Sequence, residues 1–144
     1  MGSSARVTEL PAWAGSLLAH SRVGRLGLVD DDGAPRVLPV TYAIDGETLV
    51  TAVDQKPKRR RGEELARVRW LRARPTAALT VDHYDDDWSA LAWVQALGPI
   101  RVLDAASAPD AIAALTERYE PYRGDPPAGP LLVLEPNRLL WWHA

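Results

Sequence analysis

The chain has no cysteine among its 144 residues. Disulfides, thiolate metal sites and cysteine nucleophiles are therefore excluded. It has no phenylalanine and one methionine, and its aromatic content falls on six tryptophans and four tyrosines. No apolar run approaches the roughly 20 residues needed to span a bilayer. The N-terminus lacks a basic segment followed by an apolar stretch, so no secretory leader is read there. The expectation is a cytoplasmic protein with no membrane partner. Glycine is too sparse for a phosphate loop, because Gly24 and Gly27 alone do not make a dinucleotide fingerprint. The three histidines stand apart, and nothing resembles a nucleophile with its base, so acyl transfer has little support.

What remains is ordinary globular composition, 47% hydrophobic and 25% charged. The length fits one domain over 1–144, with residues 1–9 expected to be a flexible lead-in. "PAWAGSLLAHSRV" reads as a short helix, with Trp13, Leu17 and Leu18 on one side. "RLGLVD", "PRVLPVTYAI" and "TLVTAVD" read as strands joined by the turns "DDDG" and "DGE". Pro39 inside the second strand argues for an edge or a bulge, since proline cannot donate to a ladder. A helix follows over about 60–74, with Leu65, Val68 and Leu71 as its stripe and Trp70 beside it. "TAALTVDHY" and "ALAWVQALGPIRVLD" are a fourth and a fifth strand, the latter bent near Gly98-Pro99. "APDAIAALTERYEPY" is a helix, and "LLVLEPNRLLWWHA" closes the chain as one strand or a broken pair. Hairpin-length turns imply antiparallel pairing. The predicted class is mainly β (α+β), a six-stranded antiparallel small barrel with short flanking helices.

Charge is distributed unevenly. Formal net charge is −2, yet residues 56–74 hold nine Lys/Arg against Glu63 and Glu64, a net +7, leaving −9 elsewhere. Five cations occupy the six positions from Lys56 to Arg61. That is the wrong sign for a helix N-terminus, which carries about half a positive charge of its own. An anion at that end offsets the cost, through ammonium groups, guanidinium forks and free N–H groups together. The plainer reading is a solvated basic face. A nucleic-acid binder would be basic throughout, so one localised anion fits better.

These residues carry a family resemblance. "RVGRLGLVDDDGAPRVLPVTYAIDGETLVTAVDQKPKR" and "RPTAALTVDHYDDDWSALAWVQALGPIRVL" resemble the pyridoxamine-phosphate-oxidase-like (PPOX class) split β-barrel proteins, closest to the branch of probable F420-dependent oxidoreductases. The resemblance implies a six-stranded split barrel of the FMN-binding type, and a homodimer with two cofactor sites at the subunit interface. It implies a deazaflavin, F420, with FMN as the alternative, and hydride transfer to a small unsaturated substrate. A non-catalytic flavin, haem or tetrapyrrole carrier is the further alternative. The cofactor's phosphate end then falls on Thr51, Gln55, Lys56 and Lys58, with Arg59 assisting, and its ring along Leu38, Pro39, Val40 and Thr41. A partner-subunit glutamine that contacts the ring in FMN-binding relatives falls on Trp93. No catalytic acid or base is assigned.

Other clusters read as structure. "DHYDDDW" (His83, Asp85, Asp86, Asp87, Trp88) has no second histidine for a tetrahedral metal site and reads as a surface turn. Trp141 and Trp142 face opposite sides of a strand, so one is expected in the core and the other at a dimer interface.

Overall fold

A computed structural model describes residues 1–53 and 61–144, and within the helix that begins at Arg61 it describes side chains from residue 66 onward. Gln55, Lys56, Lys58 and Arg59 lie outside the described residues. In chain order the elements are β1 (Gly2–Ser4), α1 (Ala12–His20), β2 (Gly24–Val29), β3 (Pro35–Val40), β4 (Ala43–Asp45) and β5 (Thr48–Ala52). They continue with α2 (Arg61–Ala73), β6 (Thr76–His83), β7 (Ala92–Leu103), α3 (Pro109–Arg118), α4 (Pro121–Gly124), β8 (Leu131–Leu134) and β9 (Arg138–His143).

Strand β7 is the trunk of the sheet. One of its edges pairs with β6 from His83↔Ala92 to Thr76↔Pro99. The other edge is shared: Ala92–Leu97 pair with β9, and Ile100–Leu103 pair with β8. The changeover falls at Gly98-Pro99, where the sequence predicts a bend. A Cβ on Gly98 would lie 2.4 Å from the Glu135 carbonyl oxygen, so the β8–β9 turn crosses there only because a glycine is present. From the trunk, β6 leads to β2 and β3, while β8 leads to β5 and β4, all antiparallel. This forked sheet is a split barrel.

The described sheet has nine strands, against six expected. Three differences account for this. The N-terminal residues, expected to be flexible, form β1 on the edge of β9, and the Glu47 carboxylate accepts from Val7 N at 2.7 Å and Thr8 N at 3.3 Å. The closing segment breaks into β8 and β9 around Pro136. The single strand expected over 35–44 is interrupted at Thr41-Tyr42. Tyr119 Oη supplies the reason, since it accepts from Tyr42 N at 3.1 Å and donates to Tyr42 O at 2.9 Å. A side chain has taken the place of a neighbouring strand.

The inner face of the sheet holds the main core. Leu26, Leu28, Leu79, Val94, Ala96 and Leu139 meet Ala14 and Leu18 of α1 and Val68 and Leu71 of α2. Each fully buried leucine contributes about 1.5–3 kcal/mol of transfer free energy. A second cluster packs α3, through Ala111 and Leu115, on Val50, Ala52, Leu131 and Val133. Pro39 lies in an edge strand, as its missing N–H demands, because β3 pairs only with β2 among the described residues.

Candidate functional site

Thr51 sits near the end of β5, with Leu49 and Val53 on its side of the strand. It is 4% exposed, and its Oγ1 has no hydrogen-bond partner among the described residues. An orphaned buried hydroxyl costs about 1–3 kcal/mol. Beyond it, Val53 N donates to Pro130 O at 3.0 Å. A Cβ on Gly129 would stand 2.8 Å from Val53 O, so the loop before β8 presses directly on this strand end. The chain then enters 54–60, the segment carrying most of the basic run.

Strand β3 presents its ring-binding candidates unevenly. Leu38 packs on the core and Val40 is buried within it, while Pro39 faces out. Their side chains do not line an open site, apart from Pro39. The unpaired edge of β3 leaves backbone N–H and C=O groups of alternate residues available instead. Thr41 Oγ1 is 3.1 Å from Tyr122 Oη. Ala43 pairs with Val50, so continuing that register one step sets Tyr42 beside Thr51. The structure thus brings Thr41 and Thr51 to one end of the barrel.

Trp93 is elsewhere. It lies near the start of β7, opposite Asp82 on β6 and Trp142 on β9. Thr51 reaches β7 only through β8, at the far end of that 12-residue strand. One chain therefore does not assemble Trp93 with Thr51. Gln95, two residues on, shares the outer face with Trp93, and its Nε2 donates to Thr80 Oγ1 at 3.0 Å. A half-buried amide and hydroxyl on that face escape sequence reading, since only the strand register shows which way each points.

The basic stretch is not uniform either. Arg69 donates to Asp31 Oδ2 from Nε at 3.1 Å and from Nη2 at 2.9 Å. Arg74 Nη1 donates to Asp30 O, and the Arg36 guanidinium lies 4.9 Å from the Trp70 ring centroid. The β2–β3 turn therefore grips the C-terminal half of α2. Arg69 beside it holds the Asp31 carboxyl below its usual range. Part of the cationic surplus is structural.

The acidic turn after β6 is internally bonded. Asp85 Oδ1 accepts from Asp87 N at 2.8 Å, Asp87 Oδ1 accepts from Ser89 N at 3.0 Å, and Tyr84 Oη donates to Asp86 at 3.1 Å. Its carboxylates serve the turn, and the Ser89 bonds hold the Asp87 carboxyl below its usual range. Of the closing tryptophans, Trp141 packs on the core, while Trp142 lies half-buried on the outer face.

The model of the family described as pyridoxamine 5'-phosphate oxidase matches residues 13–133. The chain belongs to that family. Among solved structures, an F420 reductase is 24% identical, with a TM-score of 0.67 over 91% of this chain and 98% of that one. A heme binding protein from Mycobacterium smegmatis is 22% identical, with a TM-score of 0.71 over 92% of this chain and 55% of that one. An FAD-binding protein from Mesorhizobium loti is 22% identical, with a TM-score of 0.60 over 92% and 94%. These likenesses establish the fold. No functionally curated protein matches. At the level of the pyridoxamine 5'-phosphate oxidase family, an oxidoreductase-type split barrel that binds flavins or related cofactors is supported. No described helix is long and apolar enough to cross a membrane.

Proposed function

We propose that this chain is an F420-dependent oxidoreductase acting as a homodimer on a small unsaturated substrate. The observation that carries the reading is Thr51. A buried hydroxyl lacking a partner among the described residues stands near the strand end that precedes, in sequence, five closely spaced cations. That is the chemistry of a phosphate or carboxylate cradle. Lys56 and Lys58 hold the anionic tail with Arg59 and Gln55 beside them, and the unpaired edge of β3 around Pro39 addresses the polar edge of the ring. When bound, the reduced deazaflavin supplies the hydride. The chain's own work is binding and orientation, and core-committed side chains such as Val40 keep water from beneath the ring. Trp93 and Gln95 stand far from Thr51 in one chain, which suits a site completed by the partner subunit.

F420 is ranked above FMN because its longer anionic tail uses more of the cations. Gln95 favours the second reading, FMN, because it restores an amide to the outer face of β7 near the position that Trp93 occupies. Titration of F420 and FMN side by side separates the two. F420 is expected to bind more tightly, and Lys56→Ala and Lys58→Ala are each expected to weaken it about tenfold, near 1.4 kcal/mol. Equal affinity in wild type and both variants overturns the assigned site.

A further inference from the structure

The short helices that follow β7 reach back to the strand proposed to carry the cofactor ring. Among the described residues β3 is paired on one side only, with β2, and that ladder ends at Val40. Thr41 and Tyr42 lie in no ladder. Side chains from α3–α4 and the residue between them fix them instead. Tyr119 Oη accepts from Tyr42 N at 3.1 Å, and its single proton lies between Tyr42 O at 2.9 Å and Arg22 O at 2.8 Å, just ahead of β2. Arg118 beside it donates to Ser21 O and stacks 4.8 Å from the Tyr42 ring centroid. Tyr42 Oη donates to Leu18 O, so every polar atom of Tyr42 is committed within the chain. Thr41 is then the last residue of this stretch with polar groups to offer a ligand. Its Oγ1 lies 3.1 Å from Tyr122 Oη on α4, and the Tyr122 ring stands edge-on to Tyr119 at 5.9 Å. The same segment packs Ala111 and Leu115 of α3 on Val50 and Ala52, the residues that flank Thr51 in β5.

We propose that Tyr119 and Tyr122 are positioning residues for the ring half of the cofactor site. Tyr119 fixes the backbone where β3 ends, and Tyr122 fixes the direction of the Thr41 hydroxyl. This rests on the cofactor reading above and adds what sets its geometry. A threonine hydroxyl chooses among staggered positions, and a partner at 3.1 Å selects one. An edge strand held on one side can twist past its last ladder bond, and the two-way bond at Tyr42 stops it there. Because the same segment holds both 41–42 and β5, it also sets the spacing between the ring edge of β3 and Thr51 at the anion end. Neither tyrosine has to touch the cofactor to do this. A site ordered beforehand by such bonds loses less binding energy to ordering when the ligand arrives.

Ligands that carry only the ring test this. F420 and FMN are titrated into the full chain beside their ring-only counterparts, the deazaflavin chromophore without its anionic tail and riboflavin, with urea unfolding of each variant in parallel. Lys56→Ala is expected to weaken F420 and to leave the tail-less chromophore within about twofold of wild type. Tyr122→Phe and Thr41→Val are each expected to weaken the cofactor and its ring-only counterpart alike, by about fivefold for one lost hydrogen bond. The double variant is expected to be no weaker than either alone. Thr41→Ser, which keeps the hydroxyl, is expected to bind as wild type does. Tyr119→Phe is expected to weaken ring binding further and to lower the urea midpoint, since it leaves Tyr42 N–H and C=O unpaired. Tyr122→Phe is expected to leave that midpoint in place, so that its loss of affinity is not a loss of fold. If wild type binds F420 or FMN while Tyr122→Phe and Thr41→Val hold the ring-only ligand as tightly as wild type, the positioning is overturned and the cofactor reading stands. The same holds if Tyr122→Phe weakens F420 but spares the tail-less chromophore. If wild type binds neither cofactor, the cofactor reading falls and the positioning with it.

Discussion

The two faces of β7 were made from alternate residues of one strand, and they differ completely. Val94, Ala96 and Ile100 point inward and are buried within a single chain. Trp93, Gln95 and Leu97 point outward and stay half-exposed. The inward face is a finished core. The outward face sets Trp93, Leu97 and Trp142 beside Gln95, Thr80 and the Arg25–Asp82 ion pair, and it stays partly open among the described residues. In the proposed homodimer folding and assembly are separable, and leucine truncations on the two faces give different signatures. Leu79→Ala, on the inner face of β6, is expected to lose about 2–5 kcal/mol in urea unfolding. Leu97→Ala is expected to lose under about 1 kcal/mol from the monomer while weakening the proposed dimer. If both cost the same, the distinction between the faces is wrong.

The next test concerns the join between the main core and the α3 cluster. Tyr42 Oη donates to Leu18 O, and Arg118 stacks 4.8 Å from its ring centroid. Burial pushes the Tyr42 phenol up to about 12, against the opposing pull of Arg118. The fold favours the neutral phenol, so this stabilisation is complete below the unfolded value of about 10. It is lost as pH rises from about 10 towards 12, at roughly 1.4 kcal/mol per unit. Tyr42→Phe leaves Leu18 O unpaired and is expected to cost about 1–3 kcal/mol at pH 7. The gap between variant and wild type is expected to close above pH 10. A gap constant to pH 12 contradicts this account.

Strand identity was legible in the sequence because period-two alternation and turn residues are local signals. The bend at Gly98-Pro99, the edge position of Pro39, the helix over 61–73 and the opposite facing of Trp141 and Trp142 all come from such signals. The break at Thr41-Tyr42 was hidden, because its cause is Tyr119, 77 residues away in sequence. β1 was hidden too, since Gly-Ser-Ser has no strand pattern and takes its shape from β9. The same division holds for the site. The basic run and Thr51 are contiguous and could be read together. That Leu38 and Val40 are spent on the core, and that Gln95 shares a face with Trp93, depends on register, which a one-residue shift reverses.

The smallest effect concerns the two halves of the basic stretch. Its C-terminal half is fastened by Arg69 to Asp31 and by Arg74 to Asp30, whereas Lys56 and Lys58 are assigned to a ligand. Asp31→Asn removes the ion pair at an exposed position, where such pairs contribute little, and is expected to lower Tm by under about 2 °C. The change is expected to fade in high salt. Arg69 holds the Asp31 carboxyl below its usual range, so the contribution is present above the unfolded value of about 3.8 and lost as pH falls through the folded one. Local opening is the better readout, because the β2–β3 turn grips α2 near its C-terminal end. Amide exchange over the last two turns of α2 is expected to rise several-fold in Asp31→Asn, while F420 affinity changes less than in Lys56→Ala. If exchange is unchanged, the turn does not fasten the helix. If instead affinity falls as far as in Lys56→Ala, the two halves act as one anion site, and the division between structural and ligand-holding cations fails.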